Sequence, residues 1–358
     1  MRFHAPYMEW AKRRPAATFD LAISNILGCS IADLPGAASA LSFAGRNDNG
    51  YAPLLEAIAT RYGVDPGQVT TAQGASGANF LVFAALLGPG DDVLIERPGY
   101  DPLLGAPRLL GANTVRFDRR FDEEFSVVPG RVRDALTPRT KLIVLTSPHN
   151  PTGAIIDTDA LDEVGTIARQ HGAHVLVDEV YLDVSGDALL PAARRGDVFI
   201  STSSLTKSYG LAGLRCGWVL SSPDIAERIR RARDVVDGTG SIVAERLAVI
   251  AFEHLGQLIE RARGIVAQNM PKVRTFVRQR PDLEWVEPRG GTVVFPRIRD
   301  VADTSVFAER LLNERQTAVV PGRVFEAPAH VRIGFSGPAG PLDAGLQAIG
   351  AALDARAW

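Results

Sequence analysis

Short uninterrupted runs of Val, Ile and Leu recur through the middle of the chain and constrain its fold more than any other feature. Runs without polar alternation predict strands buried on both faces, as in a parallel sheet covered by helices. The predicted strands are residues 92–96, 141–146, 174–178, 197–202 and 217–220. The intervening stretches 77–87, 159–171 and 224–236 have the apolar spacing of helices. The pattern therefore predicts an α/β architecture.

A chain of 358 residues exceeds one ordinary domain, and the pattern changes in its last third. We expect a large domain over 38–240, with a mainly parallel sheet sandwiched by helices, and a smaller α+β domain over 241–358. In the smaller domain, strands are predicted at 289–296 and 318–320, and helices at 305–315 and 342–355. Residues 1–37 are too few for a domain and are expected to join the smaller one.

The composition limits the kinds of molecule that the protein is expected to bind. The formal net charge of −2 shows no excess of positive charge of the kind that binds nucleic acid or an anionic membrane. Two cysteines, Cys29 and Cys216, are too few for a disulfide scaffold or a cysteine-based metal site. No apolar run is long enough for a membrane span, and the first residues lack the apolar segment of a secretory signal. We therefore expect a cytoplasmic protein without metal, membrane or nucleic-acid partners.

The segment SLTKSYGLAGLRCGW, residues 204–218, carries the main chemical signal. Lys207 lies among small and hydroxyl-bearing residues, where its amine can be desolvated, lose its charge and attack a carbonyl. Arg215 and the neighbouring hydroxyls suit a bound phosphate. Pyridoxal 5′-phosphate (PLP) combines an aldehyde with a phosphate and forms a Schiff base with lysine. The alternative is a solvated lysine beside a glycine-rich turn.

The same segment resembles the lysine signature of the class I and II aminotransferases, which are PLP-dependent transferases of fold type I. This resemblance implies that Lys207 forms the Schiff base and that Ser204 and Arg215 hold the phosphate. It extends from about residue 20 to 350, and further motifs occur in the family's order. They are GASGA at 74–78, ERPGY at 96–100, NPTG at 150–153, DEVY at 178–181 and VRIGFS at 331–336.

The small residues at 74–78 directly precede a helical pattern. Backbone N–H groups can approach a phosphate closely at such a helix N-terminus, although a glycine-rich helix start is also common without a ligand. The resemblance implies that Ala75 and Ser76 donate hydrogen bonds to the cofactor phosphate. These two residues complete the predicted phosphate site.

Asp178 ends a predicted strand, at the edge where α/β sheets bind ligands. A carboxylate there can keep the pyridine nitrogen of PLP protonated, so that the ring accepts electrons; the alternative is a helix N-cap. The resemblance favours the first role and implies that Tyr181 and Asn150 contact the ring oxygen O3′. It also implies that Tyr100 stacks on the ring. His149 is expected to lie behind these residues.

An arginine near the C-terminus is the predicted anchor for the substrate. The planar fork of Arg332 can hold an α-carboxylate at two points, and the resemblance places the substrate-carboxylate arginine in this stretch; a surface arginine is the alternative. Asn150, Asn25 and Arg46 are further candidates for substrate contacts. Arg46 stands about where the family has a tyrosine that reaches the neighbouring subunit's phosphate, a contact that Arg46 or Tyr51 could replace.

The predicted reaction is transfer of an amino group from an L-amino acid to a 2-keto acid. Lys207 acts as the general base at the substrate Cα, assisted by Asp178 and Tyr181. The resemblance also implies a homodimer. A leaving group at Cβ would give β-elimination or cyclisation instead, and the later half of the chain, with GLAGLRCGW and PRGGTVVFPR, resembles a cyclising member of the family.

Two other classes of protein fit the sequence poorly. A non-catalytic PLP-binding regulator is expected to carry a basic DNA-binding module before the aminotransferase-like region, and none is recognisable. A nicotinamide-dependent dehydrogenase of similar fold would carry G-x-G-x-x-G after its first strand, and this motif is also lacking.

Overall fold

A computed structural model describes residues 4–186 and 189–356, so the ends of the predicted terminal units, 1–3 and 357–358, lie outside it. The strands are β1 Phe19–Asp20, β2 Val69–Gln73, β3 Asp92–Arg97, β4 Asn113–Asp118, β5 Thr140–Thr146, β6 His174–Asp178, β7 Phe199–Ser204, β8 Cys216–Leu220, β9 Leu283–Glu284, β10 Val293–Val294, β11 Arg297–Ile298, β12 Thr317–Ala318, β13 Val320–Pro321 and β14 Val331–Gly334. Seven of these strands form one central sheet.

The central sheet has the order β2-β8-β7-β6-β5-β3-β4. Only β8 runs against its neighbours; the other pairs are parallel. The five strands predicted from apolar runs are all present, with ends shifted by up to two residues. The prediction missed β2 and β4, which lie at the two edges of the sheet. Their sequences, VTTAQ and NTVRFD, are interrupted by polar residues. Those of β4 are at least partly exposed at the sheet edge, whereas Thr70 and Thr71 of β2 are buried and donate hydrogen bonds to Ala226 O and Glu245 Oε1.

The helices are α1 Pro6–Arg13, α2 Ala37–Ala40, α3 Ala52–Tyr62, α4 Gly74–Leu86, α5 Asp101–Leu109, α6 Pro129–Ala135, α7 Thr158–His171, α8 Leu182–Ser185, α9 Pro223–Val236, α10 Ile242–Glu253, α11 Leu255–Arg278, α12 Ser305–Arg315 and α13 Ala339–Asp354. Helices α4, α5 and α9 pack with one set of sheet side chains, including Val144 and Leu176. Helices α6 and α7 pack with the alternate set, including Ile143 and Val175. The predicted sandwich is therefore confirmed.

A second, smaller layer is formed by the C-terminal part of the chain. Helices α12 and α13 and the end of α11 pack against the strands β10-β14-β13 around a core that includes Val294, Phe307 and Ile333. The N-terminal segment joins this unit because β1 pairs in parallel with β12. Helix α1 contacts both units: it lies against α5 of the large domain, and Tyr7 and Trp10 pack in the cluster of Phe325 in the C-terminal part.

Helix α10 lies on the other side of the boundary that the sequence suggested. The prediction placed residues after 240 in the small domain, whereas Ala248 and Ala251 of α10 pack with Leu54 and Trp218 of the large one. The first part of α11 belongs to the same core, and its last part, with Val273, belongs to the core of the small domain. A single continuous helix thus links the two cores, with Pro271 inside it between Ile259 of the first core and Val273 of the second.

Candidate active site

One cavity at the carboxyl ends of β5, β6 and β7 collects most of the residues that the sequence singled out. Thr146, Asp178 and Thr202 are register partners, so these three strand ends lie side by side. The predicted residues that line the cavity are Ala75, Ser76, Tyr100, Asn150, Asp178, Tyr181, Ser204, Lys207 and Arg215. The strand topology therefore brings together motifs that are up to 140 positions apart in the sequence.

Lys207 follows β7 and directs its amine into the cavity. Nζ donates hydrogen bonds to Asn25 Oδ1 at 2.6 Å and to Ser24 Oγ at 3.0 Å. Burial, with a smaller contribution from the positive charge of Arg332, lowers the pKa of Lys207 to about 7. A large fraction of the amine is therefore uncharged near neutral pH, as nucleophilic attack and proton abstraction require.

Asp178 is a buried carboxylate held by amide donors. Asn79 Nδ2 donates to Oδ2 at 2.8 Å, and the backbone N–H of Val180 donates to Oδ1 at 3.3 Å. Thr202 Oγ1 donates in turn to Asn79 Oδ1 at 2.6 Å, which fixes the amide so that its NH₂ group faces the carboxylate. Burial raises the pKa of Asp178, and the bond from Asn79 opposes this rise.

We expect Asn79→Ala to lower the turnover number about tenfold, because Asp178 loses a hydrogen bond that favours its charged form. The variant should retain PLP and its melting temperature should change little. Steady-state kinetics as a function of pH measure the effect, and the acidic limb of the profile should move to higher pH. Thr202→Val, which leaves the Asn79 amide in place, is the matched control and should have a smaller effect. An unchanged pH profile in Asn79→Ala would contradict this role.

The other end of the cavity is built from the start of α4 and from Arg215. Gly74 has φ +70° and lies against the Arg215 guanidinium, where a Cβ would be 2.4 Å from Nη2. Gly217 on β8 has no room for a side chain, since its Cβ would be 2.4 Å from the carbonyl carbon of Gly74. These two glycines allow the N-terminus of α4, the Arg215 side chain and β8 to approach closely. The result is a group of N–H donors and a cation at one point, which suits an anion.

Arg332 on β14 is fully buried beside the cavity. Its Nη1 donates to Asn150 Oδ1 at 2.9 Å, and its Nη2 donates to Tyr7 Oη at 2.9 Å and to Ala22 O at 2.8 Å. Its Nε has no hydrogen-bond partner in the described residues. An arginine buried without a carboxylate and with a free donor fits a site for an anionic ligand.

Two tyrosines complete the cavity wall. Tyr100 precedes α5, and its ring lies 5.6 Å from the ring of Tyr7 in an edge-to-face arrangement. Tyr181 is buried just after β6, and burial raises its pKa to about 12, so its hydroxyl keeps its proton at neutral pH. Both side chains are therefore neutral and available to contact a flat ring or a polar oxygen.

His149 lies behind the cavity rather than in it, as expected. Its Nδ1 is 2.7 Å from Thr152 Oγ1 and its Nε2 is 3.1 Å from Pro98 O. Burial lowers the pKa of His149 well below its usual value, so the ring is neutral. The histidine thus stabilises the turn that contains Asn150.

The remaining candidates have different surroundings. Asn25 does not line the cavity but holds the Lys207 amine. Arg46 is 90% exposed, pairs with Asp48 at 2.7 Å and does not line the cavity. The ring of Tyr51 lies 5.3 Å from the guanidinium of Arg246. Within one copy of the chain, neither Arg46 nor Tyr51 is part of the cavity wall.

The sequence did not indicate several residues of the cavity, of which Tyr7, Asn79, Thr146 and Thr206 are polar. Asn79 could have been recognised from the sequence. It is four positions after Ala75 and therefore on the same helix face, and it is an amide in an otherwise apolar helix. Tyr7 could not have been recognised, since it lies 325 positions from the arginine that it contacts.

The chemistry of the cavity fits PLP. Asp178 is buried with no lysine or arginine at ion-pair distance among the described residues, which leaves it free to pair with a protonated ring nitrogen. Thr206 Oγ1 is buried in the wall without a partner in that same part of the chain. At the opposite end, the α4 N-terminus and Arg215 can hold a phosphate. A lysine amine lies between, so the fold and the site define a PLP-dependent enzyme.

Comparison with known families gives the same result. A family model described as aminotransferase class I and II matches residues 37–349. The chain is 33% identical to capreomycidine synthase from Streptomyces vinaceus over 308 residues, which are 85% of this chain and 79% of that protein. It is 27% identical to an aspartate aminotransferase from Geobacillus stearothermophilus, over 85% of this chain and 81% of the relative. The chain belongs to the class I and II aminotransferase family.

Solved structures extend the likeness over the whole chain. A PLP-dependent aminotransferase from Streptococcus suis aligns with a TM-score of 0.93 at 27% identity, covering 99% of each chain. A PLP-dependent cyclase, OrfR, aligns with a TM-score of 0.88 at 26% identity, covering 99% of this chain and 98% of the other. The predicted fold type I and the resemblance to a cyclising member are both confirmed. The protein is a PLP-dependent enzyme of the aminotransferase class, which transfers an amino group from an amino acid to a 2-keto acid.

Proposed function

We propose that the described cavity is the catalytic site of this transfer and that each predicted residue has a separate role in it. The N-terminus of α4 with Ala75 and Ser76, together with Ser204 and Arg215, holds the phosphate of PLP. Asp178 faces the ring nitrogen, Asn150 and Tyr181 face the ring oxygen O3′, and Tyr100 covers the ring. Bound PLP supplies an electron sink for charge that develops at the substrate Cα. The observation that carries this proposal is the position of the Lys207 amine in one cavity with the buried carboxylate of Asp178, which forms no ion pair in the described part of the chain, and with the anion site at Arg215.

Lys207 has two tasks in this proposal. Its uncharged amine forms the covalent bond to the cofactor. Once the substrate amine has displaced it, the Lys207 amine removes the proton from the substrate Cα and can return that proton to a different atom. Ser24 and Asn25 hold Nζ in place through the two hydrogen bonds described above. Because the pKa of Lys207 is about 7, its capacity to accept a proton falls as the pH drops below 7.

The substrate class follows from Arg332. Its buried guanidinium, linked through Asn150 to the cavity, is placed to take the α-carboxylate of an amino acid. A carboxylate held at this point and an amine directed at Lys207 orient the Cα substituents, so one enantiomer of the substrate is preferred. We infer an L-amino acid as donor and a 2-keto acid as acceptor; Asn25 and Arg46 remain candidates for contact with the side chain.

The experiment that tests this function uses the purified holoenzyme and a panel of L-amino acids without any keto-acid acceptor. At least one member should release one equivalent of its 2-keto acid per active site and change the absorbance of the cofactor. The D-enantiomers are the controls and should release none. Absence of keto acid with every L-amino acid would contradict transamination.

The likeness to capreomycidine synthase and to the cyclase OrfR favours a second candidate, elimination or cyclisation at Cβ. The same groups serve both reactions up to proton removal at Cα, since only the fate of the electrons differs. In this case the panel would give a cyclised product, or loss of a β-substituent as an anion, without the keto acid of the intact substrate. The panel should therefore include amino acids with and without a leaving group at Cβ.

We also infer that two copies of the chain associate. Phe43 is 95% exposed and Val235 is 88% exposed, and both are apolar. Their segments are neighbours, because Arg231 Nη2 donates to Asn49 Oδ1 at 2.9 Å. The family resemblance supports a dimer whose interface includes this surface. Arg215 is exposed in a single copy, which supports an additional contribution from the second one.

We expect Phe43→Asp to convert the dimer to a monomer at micromolar concentration, because it places a charge in the interface. Sedimentation velocity measures the change. Ile31→Asp, at another exposed apolar side chain outside the 41–50 segment, is the control and should stay dimeric. A wild-type monomer would contradict the proposal.

Cytoplasmic location is also proposed. Both cysteines are free thiols, as a reducing compartment favours. Among the described residues, no helix has the length and apolar character needed to cross a membrane.

A further inference from the structure

Tyr7, on the first turn of α1, contacts the arginine that we assign to the substrate carboxylate. Its hydroxyl oxygen accepts a hydrogen bond from Arg332 Nη2 at 2.9 Å, and its ring lies 4.9 Å from the Arg332 guanidinium. Tyr7 also lines the cavity. An N-terminal residue therefore occupies the point where the substrate is expected to bind.

The hydrogen-bond donors of Arg332 can be counted. A guanidinium offers two parallel donor pairs to a carboxylate, Nη1 with Nη2 and Nε with Nη2, and both pairs include Nη2. The two hydrogens of Nη2 are directed to Tyr7 Oη and to Ala22 O. A two-point grip on a carboxylate therefore requires that one of these acceptors be displaced.

Ala22 is the less mobile of the two acceptors. It is only 4% exposed, and the adjacent Leu21 O accepts a hydrogen bond from Gly334 N at 2.6 Å. Helix α1, in contrast, has no buried residue. Among the described residues, its other polar attachments at this end are Tyr7 N to Asp101 Oδ2 at 2.7 Å and Tyr100 Oη to Met8 Sδ at 3.5 Å. The Tyr7 ring also packs against the rings of Tyr100 and Phe325, each at 5.6 Å. The Tyr7 hydroxyl is thus the acceptor that can leave.

We propose that Tyr7 competes with the substrate for Arg332: its hydroxyl occupies a donor of Arg332 until the α-carboxylate of the substrate displaces it. The proposal rests on the assignment of Arg332 to the carboxylate under the proposed function. An amine without a carboxylate has no group that can displace Tyr7 from Nη2, so it gains nothing from Arg332. Helix α1 then acts as a gate that only a carboxylate opens, so amino acids bind more weakly than they would without the Tyr7 hydroxyl, and simple amines bind without opening it.

The test compares two probes that differ only in the carboxylate, 2-methylalanine and isopropylamine. The first has no Cα proton, so its binding to the holoenzyme can be followed by cofactor absorbance without turnover. Tyr7→Phe removes the competing hydroxyl and keeps the ring, and we expect it to bind 2-methylalanine about tenfold more tightly, with isopropylamine unchanged. Weaker or unchanged binding of 2-methylalanine would overturn the gate.

Arg332→Lys separates this proposal from the function on which it rests. It should weaken the binding of 2-methylalanine and leave isopropylamine unaffected. If neither probe responds to Arg332→Lys, Arg332 does not bind the carboxylate, and both proposals fail. If Arg332→Lys responds as expected and Tyr7→Phe does not, only the gate fails.

Amide hydrogen exchange gives a readout on the wild-type holoenzyme that needs no variant. Saturation with 2-methylalanine should speed exchange in residues 5–13, because α1 loses its link to Arg332. Isopropylamine should leave the exchange rate unchanged. Exchange that stays constant or slows with 2-methylalanine would contradict displacement.

Discussion

The Lys207→Ala variant should lose amino-group transfer by at least about 10⁴-fold, since one side chain supplies both the covalent attachment and the general base. The absorbance of lysine-bound PLP should also disappear. Single-turnover release of keto acid from the best L-amino acid of the panel measures the loss. The fold should persist, because the Lys207 side chain makes two hydrogen bonds within the described residues, to Ser24 and Asn25.

The control for this variant is Lys207→Arg, which keeps a cation but cannot form the Schiff base at neutral pH. Its activity should be as low as that of Lys207→Ala. Addition of methylamine should restore part of the activity of the alanine variant only, because the vacated space admits a small external base. For the wild-type apoenzyme, the rate of PLP uptake should rise with pH and level off above about 7, where Lys207 loses its proton. Transfer at more than one hundredth of the wild-type rate in both variants would contradict the role.

Asp178→Asn should lower the turnover number about 10³-fold with little change in the KM of the amino acid. The substitution keeps the shape of the side chain and removes the negative charge that stabilises the protonated ring nitrogen, and an electrostatic contact of this kind contributes on that scale. The melting temperature should not fall, because a buried carboxylate without a cationic partner costs stability in the apoenzyme. Stopped-flow measurement of proton removal at Cα checks the rate.

Asp178→Glu is the matched control, since it retains the charge and moves it by one methylene group. It should recover a clear part of the activity lost in Asp178→Asn. A turnover number for Asp178→Asn within tenfold of wild type would show that the carboxylate does not support the ring. Equal losses in the two variants would indicate a steric rather than an electrostatic role.

Much of the fold could be predicted because its central strands are continuous apolar runs. Val175, Leu176 and Val177 of β6 are all buried, as expected for a strand covered on both faces. The edge strands β2 and β4 could not be recognised in this way, since both contain polar residues, which are partly exposed in β4 and buried with hydrogen-bond partners in β2. Helix α10 was assigned to the small domain because its sequence does not say which core its apolar face contacts.

The candidate site was predictable where its chemistry is local in sequence. Lys207 among hydroxyls, Asp178 at a strand end and the small residues at 74–78 each indicate a function within a few positions. Asn79 and Tyr7 lacked such a local context. Their partners, Asp178 and Arg332, are 99 and 325 positions away, so their role depends on contacts that only the folded chain creates.

The sequence by itself determined the fold class and the cofactor and predicted the reacting lysine, because hydrophobic runs specify buried strands and PLP chemistry requires particular residue types at strand ends. Only the tertiary structure decided which other side chains form hydrogen bonds to these functional residues and so adjust their reactivity. Asn79 orients on Asp178 because Thr202 lies in register with it on β7, and Tyr7 reaches Arg332 because α1 packs over the cavity. Hydrogen bonds between distant segments depend on positions to within a fraction of an ångström, and such positions arise from packing of the whole chain.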